Sequence, residues 1–213
     1  MKNLYQRILF SALLAPLAFP VLAQSPTEAP ATRASWHLGV GSAGVGTGDY
    51  MALKAHLEYA PLLGRHLGTG TRLAVIGGSR ESFNTVYNPD AAAGTGVTVP
   101  YAMSYQAVNL EQEVYIYPFG NDKQVLFALG GGGYVGHSNR YGAPATHLDF
   151  TTGAKTLTLD HEKGLHAGYM FSLNLDVALD ASRNWLAGGK ASFQNDTFGN
   201  SLATLQLKIG RRF

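Results

Sequence analysis

The stretch Ser201 to Phe213 reads Ser-Leu-Ala-Thr-Leu-Gln-Leu-Lys-Ile-Gly-Arg-Arg-Phe. Ala203, Leu205, Leu207, Ile209 and Phe213 are apolar, and Thr204, Gln206, Lys208 and Arg212 stand between them. Successive side chains of a strand point to opposite faces, so this alternation writes a strand with one greasy and one wet side. The pattern recurs along the chain. Ser35–Val45 sets Trp36, Leu38 and Val40 against His37, Gly39 and Gly41, and a Gly46-Thr47-Gly48-Asp49 turn follows. The next strand sets Met51, Leu53, Ala55, Leu57 and Tyr59 against Lys54, His56 and Glu58. Gly164–Leu179 is nearly perfect, with Leu165, Ala167, Tyr169, Phe171, Leu173, Leu175, Val177 and Leu179 on one face.

Four weaker stretches complete a set of eight: Thr71–Glu81, Met103–Tyr117, Gln124–Gly136 and a strand from Trp185 through Phe193. Gln112 interrupts the apolar face of the Met103–Tyr117 strand. Pro61–Gly70 reads as a turn, as do Gly120–Lys123, Asp180–Asn184 and Asp196–Asn200. Ser82–Ala102 lacks periodicity and carries Asn88-Pro89-Asp90, which predicts a long loop. Asn139–Glu162 is the second long loop, with Lys155–Leu159 alternating inside it as a possible hairpin extension.

Met1–Ala23 carries Lys2 and Arg7, a mostly apolar run from Ile8 to Leu22, and Val21-Leu22-Ala23. That is the pattern of a cleaved secretory signal, and Pro16 and Pro20 argue against an anchor helix. Gln24–Ala34 is a proline-bearing flexible lead, and 35–213 is one domain. The chain has no cysteine, so an exported fold must hold without disulfides. A net charge of +2 gives no electrostatic reason to expect nucleic acid. Charged residues are 14% of the chain, against ~25% in soluble domains, and no segment after the signal approaches the ~18 apolar residues of a spanning helix.

Eight alternating strands close into one of two barrels. A soluble barrel puts the apolar set inside; a transmembrane barrel puts it in lipid. Strand length, the alternation of long and short connections, and aromatics near strand ends favour the second. Those aromatics are Trp36, Tyr59, Tyr105, Tyr115, Tyr117, Tyr134, Trp185, Phe193 and Phe213, some of which point inward by the phase of their strands. The lumen would then hold Lys54, Arg72, Arg80, Lys190, Lys208 and Arg212 with Glu58, Glu111, Glu113 and Asp176. Eight strands leave a bore that side chains can fill, so these charges are expected to pair and close it.

The signal, the alternating strands and the ending Leu205, Leu207, Ile209 and Phe213 resemble the small bacterial outer-membrane β-barrel proteins, the OmpX-like and OmpA-like barrels. The resemblance covers the whole chain after the signal. It implies an all-β, eight-stranded antiparallel up-and-down barrel in the bacterial outer membrane, both termini periplasmic, monomeric and without cofactor. Its partners would be outer-membrane lipid and lipopolysaccharide, and the barrel assembly machinery through Phe213. Arg211 departs from the family's ending, where an aromatic or apolar residue is more usual. Fold does not fix role, and the expectation is non-catalytic: membrane support or surface interaction through Ser82–Ala102 and Asn139–Glu162. The alternatives are a lipid A-modifying hydrolase and a small passive channel.

No catalytic, cofactor or metal residue is assigned. Gly39-Val-Gly41-Ser-Ala-Gly44 satisfies G-x-G-x-x-G, but no helix follows it, and a dinucleotide site needs one. These glycines, like the run Gly130–Gly133, are read as relief of crowding in a curved sheet. His137 and Ser138 resemble the rim residues of lipid A hydrolases, but there the pair is two apart and shares a face; here they are adjacent and point oppositely. His37, His56 and His166 share the lumen face and are read as members of a polar network rather than metal ligands. Glu111 and Glu113, on one face at i and i+2, are read as ion-paired with the lumen cations.

Overall fold

The computed structural model describes residues 33–46, 50–87, 96–142, 145–148, 155–158 and 160–213. The predicted signal Met1–Ala23, and the lead Gln24–Ala34 up to residue 32, lie outside the described residues. The strands are β1 (Ala34–Val45), β2 (Tyr50–Pro61), β3 (Leu67–Tyr87), β4 (Gly96–Ile116), β5 (Val125–Tyr141), β6 (Ala145–Leu148), β7 (Lys155–Thr158), β8 (His161–Ala178), β9 (Trp185–Asp196) and β10 (Ser201–Arg212). Eight of them close a ring in the order β1-β10-β9-β8-β5-β4-β3-β2, and β6 and β7 form a separate two-stranded ribbon. Each ring strand pairs antiparallel with its neighbours.

Closure is made by the first and last strands, from Ser35↔Arg212 to Val45↔Leu202. Beyond that ladder the backbones of Ala34 and Phe213 bond each other in both directions, at 3.1 and 2.9 Å. No edge of the ring is left open, which is what lets a sheet sit in a medium without water. The ring has two ends. The tail end holds Ala34, Phe213 and the connections after β2, β4 and β8; the loop end holds those after β1, β3, β5 and β9.

The turns follow their residues. Gly120 and Gly199 take φ of 80° and 78°, a region costly for any residue with a Cβ. Asp196 Oδ1 accepts from the backbone N–H of Phe198 (2.9 Å) and Asn200 (2.8 Å), closing the β9–β10 turn as Asp side chains do. At the tail end Asp180 accepts from the Trp185 backbone N–H at 2.9 Å. The Ser182 hydroxyl and that N–H hold the Asp180 carboxyl below the usual carboxylate range.

The phasing places the apolar set outside on every ring strand. Leu165 is 82% exposed and Leu207 75%, whereas Lys54 and Glu111 are 0% exposed inside. A wall this apolar around a charged interior is built to face hydrocarbon, since in water the same arrangement forfeits the hydrophobic effect. The twelve steps of β8 from Leu165 to Val177 rise about 40 Å along the strand, or roughly 30 Å across a bilayer at a tilt near 40°. Gln112, the polar interruption on the outer face, is satisfied by its cross-strand neighbour: Thr71 Oγ1 donates to its Oε1 at 2.6 Å.

Several expectations need correction. Ser82–Ala102 is mostly strand, not loop: β3 and β4 stay paired out to Tyr87↔Gly96. The sequence shows no alternation there because neither face of a ribbon standing beyond the ring needs to be apolar. Asn139–Glu162 likewise contains the end of β5, the β6–β7 ribbon and the start of β8, and the alternating Lys155–Leu159 contributes β7. Pro61–Gly70 is a shorter turn, since β3 begins at Leu67. Arg80 belongs to the projecting part of β3, where it is exposed, rather than to the lumen. Of the aromatics near strand ends, some of which point inward by their phase, Tyr105, Tyr115, Tyr117 and Tyr134 are buried in the lumen, while Trp36, Tyr59, Trp185, Phe193 and Phe213 are exposed, as are Phe119, Tyr169 and Phe171.

Trp36 and Trp185, the only two tryptophans, both lie outward at the tail end. Arg211, the departure in the closing strand, sets its guanidinium 5.8 Å from the Trp185 ring, so the charge is held at the boundary by a ring face. Reconstituted in bilayers, tryptophan fluorescence is expected to be quenched strongly by lipids brominated near the headgroup and weakly by lipids brominated at the acyl terminus. Equal quenching at both depths would contradict this placement.

Candidate functional site: a charge-sealed lumen beneath two ribbons

Arg72 on β3 occupies the middle of the lumen with 1% exposure. Its Nε and Nη2 donate to Glu58 Oε2 on β2 (3.3 and 3.1 Å), and its Nη1 donates to Glu111 Oε2 on β4 (2.5 Å). Nη2 also reaches Glu113 Oε2 (2.6 Å) and the Tyr115 hydroxyl (2.8 Å). Lys54 Nζ donates to Glu111 Oε1 (2.5 Å) and Gln194 Oε1 (3.2 Å). Lys190 on β9 bonds Glu113 Oε2 and reaches the Tyr115 hydroxyl at 3.1 Å. Tyr115 donates to Glu58 Oε1 at 2.5 Å, and Ser172 on β8 donates to Glu113 Oε1 at 2.6 Å. Three carboxylates therefore meet three cations within one cross-section.

The register makes this cluster inevitable once the apolar face is outside. Glu58 faces Arg72 across β2–β3, and Arg72 faces Glu111 across β3–β4. Glycines supply the room. A Cβ on Gly70 would lie 2.6 Å from Glu58 Oε1, and one on Gly130 would lie 2.3 Å from Ser172 Oγ and 2.8 Å from Glu113 Oε1. The Gly130–Gly133 run is thus half lumen clearance, with Gly131 and Gly133 on the outer face.

Other layers flank this one. Toward the tail end Lys208 Nζ donates to Asp176 Oδ2 (2.9 Å) and Asn174 Oδ1 (3.2 Å). Toward the loop end His166 lies between Asp196 (Nδ1 to Oδ2, 2.8 Å) and Asn109 (Nε2 to Oδ1, 2.9 Å). Beside it is an apolar plug of Ala43, Val45, Tyr50, Ile76, Met103, Tyr105 and Leu202. The plug is what sequence reading missed. Its signal was present: Val45, Ile76 and Leu202 are apolar residues on the lumen phase of their strands.

The three lumen histidines are separated rather than gathered. His37 bonds Ser35 at 2.8 Å, and His166 joins the Asp196–Asn109 pair. His56 lies 3.9 Å from Glu58, and neither of its ring nitrogens has a hydrogen-bond partner. Among the described residues no three His, Asp or Glu side chains are placed to hold a metal ion. Ser138 is buried in the lumen and His137 is exposed on the outer face, so nucleophile and base point apart. Glu111 and Glu113 are both ion-paired, through Lys54, Arg72 and Lys190.

No sequence-family profile and no curated protein sequence matches the chain. Solved structures do. The attachment invasion locus protein Ail of Yersinia pestis aligns at a TM-score of 0.52 and 11% identity, covering 85% of this chain and 99% of that one. Neisserial surface protein A aligns at 0.50 and 8% identity, covering 85% and 97%. A major outer membrane protein from Thermus thermophilus aligns at 0.50 and 16% identity, covering 86% and 100%. The fold is that of the eight-stranded outer-membrane β-barrels. At these identities the likeness carries architecture.

Truncating Arg72 removes the shared partner of three buried carboxylates. Arg72→Ala is expected to lower unfolding stability in detergent by about 3–5 kcal/mol, read from the urea midpoint of the heat-modifiable band. Removing a charge of each sign together, as in Arg72→Met with Glu58→Gln, is expected to recover most of that loss.

Proposed function

We propose that this chain is a non-catalytic barrel of the bacterial outer membrane whose loop end faces the cell exterior and engages a partner at the surface. The observation that carries the reading is the height of the β3–β4 ribbon. The β2–β3 ladder stops at Leu53↔Gly77 and the β4–β5 ladder begins at Ser104, yet β3 and β4 remain paired to Tyr87↔Gly96. Ten residues of β3 (78–87) and eight of β4 (96–103) therefore stand clear of the ring. At the tail end the connections span only 62–66, 117–124 and 179–184.

Unpaired strand edges invite pairing with other chains, and proteins normally blunt them with charge or proline. Here Pro100 blunts β4 and Arg80 and Glu81 stand at the foot of the projecting part of β3, while Ser82–Tyr87 and Gly96–Met103 contain no charged residue. Phe83 is 66% exposed on the same ribbon. A surface that keeps such a ribbon in water is suited to contact. The sealed lumen supports the non-catalytic, non-conducting side of the reading, as does the opposed placement of His137 and Ser138. The structural neighbours, outer-membrane proteins, support the location.

An epitope inserted between Tyr87 and Gly96 is expected to stain on intact cells, and one inserted between Leu62 and His66 only after the membrane is opened. The reverse pattern would overturn the orientation. In planar bilayers the purified barrel is expected to give no steady conductance, and a stable open level would refute the sealed lumen.

A further inference from the structure

The tail-end mouth of the ring is crossed by the turn at 117–124. β10 lies opposite β4, with β9, β8 and β5 between them on one side and β1, β2 and β3 on the other. Arg212 on β10 nevertheless donates from Nη1 to the Asn121 carbonyl at 3.4 Å, so the turn reaches over the bore. Further bonds fix it there. The Asn121 backbone N–H donates to the Arg65 carbonyl (2.9 Å), its Nδ2 donates to the Gly64 carbonyl (2.5 Å), and Arg183 Nη1 donates to the Asp122 carbonyl. Arg65 sets its own Nη2 3.6 Å from Asp122 Oδ2. Guanidinium groups from the β2–β3 turn, the β8–β9 turn and the end of β10 thus converge on one turn.

Most of these cations are positioned without being neutralised. A carbonyl oxygen fixes a guanidinium in place but leaves its charge uncompensated, whereas a carboxylate does both. Only Arg65 has a carboxylate here; among the described residues none lies within ion-pair distance of Arg33, Lys123, Arg183 or Arg212. Asp180, the other acid of these turns, is engaged by Ser182 and the Trp185 N–H. Arg212 is 6% exposed and its Nε has no hydrogen-bond partner, so a buried donor of the mouth remains open. Arg183 holds a φ of 58°, in the left-handed region that favours glycine, and among the described residues no other non-glycine does so. Such a conformation persists where the surroundings fix it, and here it sets a guanidinium at the mouth.

We infer that this mouth docks the free carboxylates of the peptides in the cell-wall polymer beneath the membrane. Charge complementarity asks for an anion, and the planar fork of a guanidinium meets a carboxylate through two parallel bonds. Position selects the source. The cluster stands over the bore, inboard of the outward ring where Trp36, Trp185 and Arg211 mark the lipid boundary. A partner approaching along the barrel axis reaches it, whereas a lipid headgroup would have to leave its leaflet. A polymer bearing many carboxylates also gains from repeated engagement by neighbouring barrels. The inference rests on the tail end facing the periplasm, a placement that the epitope experiment tests separately from binding by the purified barrel.

The test is co-sedimentation of the detergent-solubilised barrel with purified peptidoglycan sacculi, either untreated or with their carboxyl groups amidated. The expected result is a bound fraction at least tenfold higher on the untreated sacculi. Arg183→Gly removes the guanidinium while placing at φ 58° the residue that tolerates it best, so the turn is kept. That variant is expected to bind at least threefold less, and Arg183→Gly combined with Arg65→Gln at least tenfold less, while the heat-modifiable band shows a folded barrel. Lys163→Glu, on β8 at the loop end, is expected to bind as the parent does. Excess phosphatidylglycerol in the detergent is expected to leave the bound fraction unchanged. Equal sedimentation with amidated sacculi, undiminished binding by the folded double variant, or release by phosphatidylglycerol overturns the assignment.

Discussion

The structure depends on one electrostatic constraint: charges taken out of water must be met at close range. An isolated buried carboxylate or ammonium costs several kcal/mol even after relaxation. The lumen places Glu58, Glu111 and Glu113 at 0–1% exposure, so each has to find a cation. Arg72 serves all three because a guanidinium presents donors in a rigid fork, whereas an ammonium is a point charge. Lys54 and Lys190 then take what the fork leaves over, and Tyr115 and Ser172 complete the acceptors' shells. A network so arranged is neutral overall, and removing any single member exposes the rest.

That constraint explains why the outside can be so plain. With every charge of this layer held in the bore, the lipid-facing wall is left mainly to Leu, Val, Ile, Ala and aromatic residues, with glycines and the bonded Thr71–Gln112 pair among them. Backbone groups need no further partner because the β1–β10 ladder closes the ring. The interior has its own division of labour: charge pairing at mid-depth, the Lys208–Asp176 pair toward the tail end, and the Tyr105–Met103–Ile76 plug toward the loop end.

How far the sequence could be read follows from the same physics. The ring was legible because hydrocarbon on one side and a packed bore on the other impose a strict period of two, and Leu165–Leu179 or Ser201–Phe213 displays it plainly. The charge sealing was legible too, since Lys54, Glu58, Arg72, Glu111, Glu113 and Lys190 all fall on one phase. Where the chain leaves the membrane that rule lapses. Ser82–Ala102 therefore looked shapeless although most of it is hydrogen-bonded strand. Strand-end aromatics divide by the same physics: an aromatic near a strand end serves an interface or a lumen equally well, and only its phase decides. Tyr115 lies in phase with Glu111 and Glu113, which makes it a lumen residue.

The ribbons and the ring obey opposite rules, and the difference locates where selection by a partner can act. Inside the ring every inward position is tied to several neighbours, so a change at Glu111 disturbs Lys54, Arg72 and Gln194 together. Along the β3–β4 ribbon, Thr85 and Thr98 join the two strands through a side-chain bond that is 3.1 Å long and exposed. Substitution there costs the fold little. The barrel is therefore a rigid, self-sufficient mount, and the residues that the mount does not need are gathered along the ribbon surfaces.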